Sequence, residues 1–240
     1  MRIDKPVISS IGIKPSSISR ILFSICFILV FINLIVFVTA HYGNQNYATK
    51  LVLLFSLDSE KNLPTAYATL LLLLASLVLT VISLLKRKQV GTMVRYWSVL
   101  ALGFLYMAVD EGWSIHEILI VPFRRWFRTE EIGIFYFAWV IPAIALVFVL
   151  GVLYLRFFFH LPRKTRRQFV SAAAVYLSGA IGFELIGSNY YYKHQVDFTY
   201  KMITTVEESL EMIGVIIFIR ALLEYLADTY GEVQFRFSNR

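Results

Sequence analysis

Six stretches of this chain are each long and apolar enough to cross a lipid bilayer, and that repetition constrains the fold more than any motif. They are residues 21–40, 64–85, 96–120, 133–158, 169–188 and 203–226. About 20 mostly apolar residues wound as a helix cover roughly 30 Å of hydrocarbon. Lipid offers no partners to backbone N–H and C=O groups, so each stretch must satisfy its own. The expected fold class is therefore all-α: an integral membrane bundle of six transmembrane helices. Composition agrees, because 58% of the residues are hydrophobic and only 16% charged, where a soluble domain has about 25% charged. A soluble globule is excluded. One cysteine, Cys26, forms no intrachain disulfide and leaves the redox compartment unread.

Local signals refine the stretches. Pro64 suits a first helical turn, and Lys86-Arg87-Lys88 stops the same helix. Pro142 predicts a kink in the fourth stretch. Residues 51–55 read as a short interfacial helix. The first stretch exceeds the usual apolar core of a signal peptide, so it reads as an uncleaved span. The organisation expected is a cytoplasmic segment at 1–20, one membrane domain at 21–228 and a cytoplasmic tail at 229–240.

The loops set an orientation. One side of the six stretches carries 16 of the 23 Lys and Arg residues, among them Lys86, Arg87, Lys88, Arg163, Lys164, Arg166 and Arg167. An excess of cations marks the cytoplasmic side, which places both termini in the cytoplasm. The net charge of +7 and pI near 9.5 then reflect topology, and no nucleic-acid partner is implied. The acids separate the other way. Only Asp4, Glu224, Asp228 and Glu232 fall on the inner side. Insertion does not require this second asymmetry, since Asp and Glu contribute little to it.

Those outer acids are the candidate site. Asp110, Glu111, His116 and Glu117 lie in the outer half of the third stretch, Glu184 near the outer end of the fifth, and Glu207, Glu208 and Glu211 in the outer half of the sixth. Three helices thus place ionisable groups at one depth. On a continuous helix Asp110 and Glu117, seven apart, share a stripe flanked by Glu111 and His116. Glu207 and Glu211 form an i,i+4 pair. Small residues from Ala172 to Gly182 would let neighbouring helices approach Glu184 closely. A lone acid in a helix centre costs roughly 2.5–3.5 kcal/mol. Clustered acids coexist only with protonation, counter-charge, hydration or a metal.

A metal reading follows from that requirement. Helical bundles hold paired metals with Glu from some helices and Glu plus His from others. The ligands would be Asp110, His116, Glu117, Glu184, Glu207 and Glu211, with Glu111 or Glu208 left as catalytic base. A carboxylate-rich set suits Mn, Fe or Ca, and the histidine admits Zn. The opposing reading pairs these acids with Arg124, Arg125, Arg128 or Lys201 and uses Glu207 and Glu208 to cap a helix. Asp58, Glu60, Glu130, Glu131 and Asp197 read as solvated loop residues. Asn33 reads as a helix–helix hydrogen bond, and Arg220 with Glu224 as an i,i+4 ion pair. Trp97, Trp113, Trp126, Trp139 and Tyr190-Tyr191-Tyr192 read as interfacial anchors.

The segments from Val109-Asp110-Glu111 to His116-Glu117, from Thr205 through Glu207-Glu208 to Glu211-Met212-Ile213-Gly214, and from Leu161-Pro162 to Arg166-Arg167 resemble a widespread group of bacterial multi-pass membrane proteins without an assigned activity. The likeness runs from about Asp58 onward. It implies the topology, a bacterial inner membrane and the choice of acids, and it brings no reaction with it. Asp110, Ser114 and His116 are faintly similar to the zinc-binding ceramidase-like membrane hydrolases. The paired histidines of that family's last span are missing here, and its chemistry is not carried over. Two functions are therefore expected. One is a divalent cation bound for chemistry on a lipid or small apolar substrate, or for cation passage. The other is an accessory or assembly subunit, its acids meeting a membrane protein partner or a second copy of the chain.

Overall fold

A computed structural model describes residues 14–42, 45–89 and 93–231, so most of the expected terminal segments 1–20 and 229–240 lies outside the described residues. All regular structure among them is helical. The elements are α1 (Pro15–Tyr42), α2 (Gln45–Phe55), α3 (Leu63–Lys88), α4 (Val94–Trp113), α5 (Ile115–Phe127), a 3-10 turn (Gly133–Phe135), α6 (Val140–His160), α7 (Arg163–Leu177), a π-helical segment (Ser178–Phe183), α8 (Glu184–His194) and α9 (Phe198–Tyr230). Four rods are long and apolar enough to cross a membrane: α1, α3, α6 and the continuous run α7–α8 over Arg163–His194. The two other long rods, α4 and α9, carry ionisable residues along their length.

The pairs α3–α4 and α7–α9 run antiparallel. Ser76 Oγ of α3 donates to the Ala101 carbonyl of α4 at 2.8 Å, and Ser83 and Ser98 hydroxyls meet at 2.7 Å. Pairings that descend on one helix while climbing on the other give an antiparallel pair. Between α7 and α9 the same order appears, with Lys164 on Asp228 at 2.9 Å and Gln168 on Glu224 at 2.9 Å. Glu224 also takes Arg220 at 2.8 Å, the i,i+4 pair expected from sequence. Asn33 is fully buried, donates to Thr205 Oγ1 at 2.9 Å and accepts from the Leu57 N–H at 3.1 Å. One side chain thereby fastens α1 to α9 and to the loop before α3. Pro64 sits in the first turn of α3, as its sequence position suggested, and the Asn62 side chain caps the helix by accepting from the Thr65 N–H.

Two predicted helices are corrected. The third stretch, read as one helix over 96–120, breaks at Ser114, which sits in the left-handed region (φ 52, ψ 45). A side chain with a Cβ is disfavoured there, so the chain turns and α5 starts in a new direction. Helix α5 has 13 residues and the cations Arg124 and Arg125, too short and too charged to span. In the fourth stretch α6 starts only at Val140. Pro142 therefore sits in the first turn, where its missing N–H breaks no helical bond, and the kink expected there is not required.

Helices α7 and α9 come together backbone to backbone. A Cβ placed on Gly214 would lie 2.7 Å from the Tyr176 backbone nitrogen, and one on Gly179 would lie 2.7 Å from the Glu207 carbonyl. Below this contact α9 buries Met212, Val215, Ile216, Ile219 and Leu222. Aromatic rings close the same region, with Phe104 stacked on Phe218 at 4.8 Å and Trp97 on Tyr225 at 5.0 Å. The Gly214→Ala protein is expected to unfold at lower temperature in detergent, losing about 1–3 kcal/mol to overpacking. Gly103→Ala, where a Cβ meets nothing within 4 Å, serves as control and is not expected to fall.

Candidate functional site

Where α4 ends and α3 and α9 begin, a cavity of about 400 Å³ opens. Its wall takes carboxylates from five parts of the chain: Asp58 and Glu60 from the loop before α3, Glu111 from α4, Glu117 from α5, Glu184 from α8, and Glu207 and Glu208 from α9. His116, Arg124, Thr204 and the rings of Tyr136, Phe137, Trp139, Tyr191 and Tyr200 complete most of it. Of the six residues expected as metal ligands, His116, Glu117, Glu184 and Glu207 face the cavity, as do both expected bases, Glu111 and Glu208. Asp110 and Glu211 are not part of the wall. Glu211 lies deeper, with its Cγ beside Gly179.

Local backbone features aim these groups. The π-helical turn at 178–183 widens the helix immediately before Glu184. Such turns shift the register of everything that follows. Glu184 then accepts the Trp139 indole N–H. The break at Ser114 does the same for His116. The Asp110 carboxylate accepts the His116 backbone N–H at 2.9 Å through Oδ1 and binds its ring Nδ1 at 2.8 Å through Oδ2. Both oxygens of Asp110 are therefore used on one residue, as cap of α5 and as orienting partner of the ring. The imidazole packs against Trp139 at 4.8 Å and lines the cavity.

Charges balance unevenly here. His116 is the only basic group that pairs with a carboxylate at this end among the described residues. Arg124 shares the wall with the acids but is engaged by Tyr136: its Nε donates to the Tyr136 carbonyl at 2.8 Å and its guanidinium lies 3.5 Å from the centre of the Tyr136 ring. The expected pairing of acids with outer arginines is thus not what holds Arg124. Among the described residues, no three His, Cys, Asp or Glu side chains stand together in metal-holding geometry.

Several wall residues depart from their sequence reading. Asp58 and Glu60 belong to the wall, not only to a solvated loop. Trp97 is 1% exposed and sits in the core, and Trp139 and Tyr191 line the cavity. Trp113 and Trp126, 69% and 75% exposed, do lie on the surface as anchors would. Tyr136, Phe137 and Tyr200 carry no sequence signal that separates them from other interfacial aromatics.

The sequence profile of a family described as a domain of unknown function (DUF8692) matches residues 25–226. No curated protein and no solved structure matches the chain.

The His116 pair has a measurable consequence. Burial works against the charged imidazolium, but the hydrogen bond and charge of Asp110 override it and lift His116 to about 9. A value raised above that of the unfolded chain, about 6.5, stabilises fully below that pH and loses its contribution as pH rises through about 9. Histidine NMR is expected to show His116 titrating near that value. Asp110→Asn should bring the titration down by removing the carboxylate charge beside the ring, while its amide oxygen can still accept the His116 N–H.

Proposed function

The chain belongs to the family described as a domain of unknown function (DUF8692), whose description carries no activity, and we propose from the cavity that it is a cation-binding membrane protein. Six helices cross the bilayer with both ends in the cytoplasm of a bacterial cell, and the cavity opens at the outer face. The asymmetry of Lys and Arg supports that orientation.

One observation carries the reading: carboxylates from five parts of the chain meet around one cavity, and Arg124 spends its charge on Tyr136. Crowded carboxylates at a low-dielectric boundary repel one another and favour an added positive charge. The ligand is a divalent metal ion or another small cation. A metal form would use Asp110 behind His116, an arrangement that fixes the tautomer of a metal-binding imidazole once the ring has lost its proton. His116, Glu117, Glu184 and Glu207 would then close on the ion, with Asp110 as the orienting group and Glu111 or Glu208 as base toward a lipid or small substrate. The apolar packing of α9 below Glu211 favours a binding site over a through-path.

Isothermal titration of the full chain in nanodiscs with Mn²⁺, Zn²⁺ or Ca²⁺, and with a small organic ammonium ion, tests this. At least one is expected to bind saturably, and Glu208→Gln and Glu184→Gln should each weaken it by about tenfold or more. Absence of saturable binding by all of them would sink the proposal.

A further inference from the structure

We infer that the cation this cavity takes is the protonated primary amine of a small molecule or lipid headgroup, an inference that rests on the cation-binding reading above. The first support is size and spacing. A cavity of about 400 Å³ is far larger than one ion, and its carboxylates are spread around it without three in metal-holding geometry among the described residues. Spread acceptors suit a group with three divergent N–H donors.

The second support is the wall between the acids. Tyr191 packs on Phe137 at 5.3 Å and on Tyr200 at 5.4 Å, and all three rings line the cavity. Aromatic faces attract cations, most strongly where water is partly excluded. The protein already uses this contact within the cavity, where the Arg124 guanidinium covers Tyr136.

The third support is Glu207. It is 9% exposed and lines the cavity. Its polar neighbour is a second carboxyl, Glu184. The two share a hydrogen bond, but two carboxyl groups hold more acceptor oxygens than that one bond uses, and an ammonium group would supply donors to both. Access from the bilayer is in place. Val121 of α5 lines the cavity and is half exposed, next to the exposed Ile118 on the same short helix, so a headgroup can enter from the lipid side.

The test uses the full chain in nanodiscs of phosphatidylglycerol alone. Hexylamine, hexanol and Mn²⁺ are titrated separately, following heat and the fluorescence of Trp139. Hexylamine is expected to bind saturably and hexanol not to. Tyr200→Leu and Glu208→Gln should each weaken hexylamine by about tenfold. Glu117→Gln, on the exposed face of α5, gives a milder loss and keeps the test open if either of the others fails to fold. Adding phosphatidylethanolamine to the discs separates the sources: competition with hexylamine marks the lipid headgroup, and no competition marks a free amine, both in support. Equal binding of hexanol, or no saturable binding of hexylamine, overturns the inference. Mn²⁺ binding without hexylamine binding overturns it alone, and binding of neither, with Zn²⁺ and Ca²⁺ also failing to bind, overturns the cation reading as well.

Discussion

The contact of α7 with α9 at Gly179 and Gly214 sets the geometry of everything above it. Side chains would hold two helices well apart, whereas here backbone meets backbone. That approach brings Glu184, just past the π turn, to the level of Glu207 and Glu208 on α9. It would be pointless without the loops that follow, because acids from two helices make a stripe, not a cavity. The break at Ser114 and the short α5 supply the missing wall, and the loop before α3, held by Asn33 through Leu57, supplies another.

Much of this was legible because helices in lipid obey simple rules. The all-helical fold, the stop at Lys86-Arg87-Lys88 and the polar bridge from Asn33 all follow from local chemistry. So does the choice of acids, since ionisable residues in apolar helices are costly and three helices carry them at one depth. What stayed hidden depended on direction. Helical periodicity continues smoothly through Ser114, and no residue type there demands a left-handed turn, so Asp110 reads as sharing a stripe with Glu117 when it instead holds His116. Nor does a sequence separate Trp139, which turns inward to Glu184, from Trp126, which faces out. Interfacial position and inward orientation use the same residue.

Asp110 shows how a residue can be correctly suspected and wrongly cast. It is ionisable and at the site, yet both its oxygens are occupied by one neighbour. Its contribution is orientation. Glu211 differs again: it sits beneath the cavity, where the packing against Gly179 leaves it off the wall.

The dry layer under the cavity has a kinetic meaning. With Phe104 against Phe218, Trp97 against Tyr225 and aliphatic side chains between them, the floor is closed. A well closed below exchanges its contents only above that layer. Whatever enters must leave on that side, or leave changed, and its dwell time is governed by the rim and not by the depth of the protein.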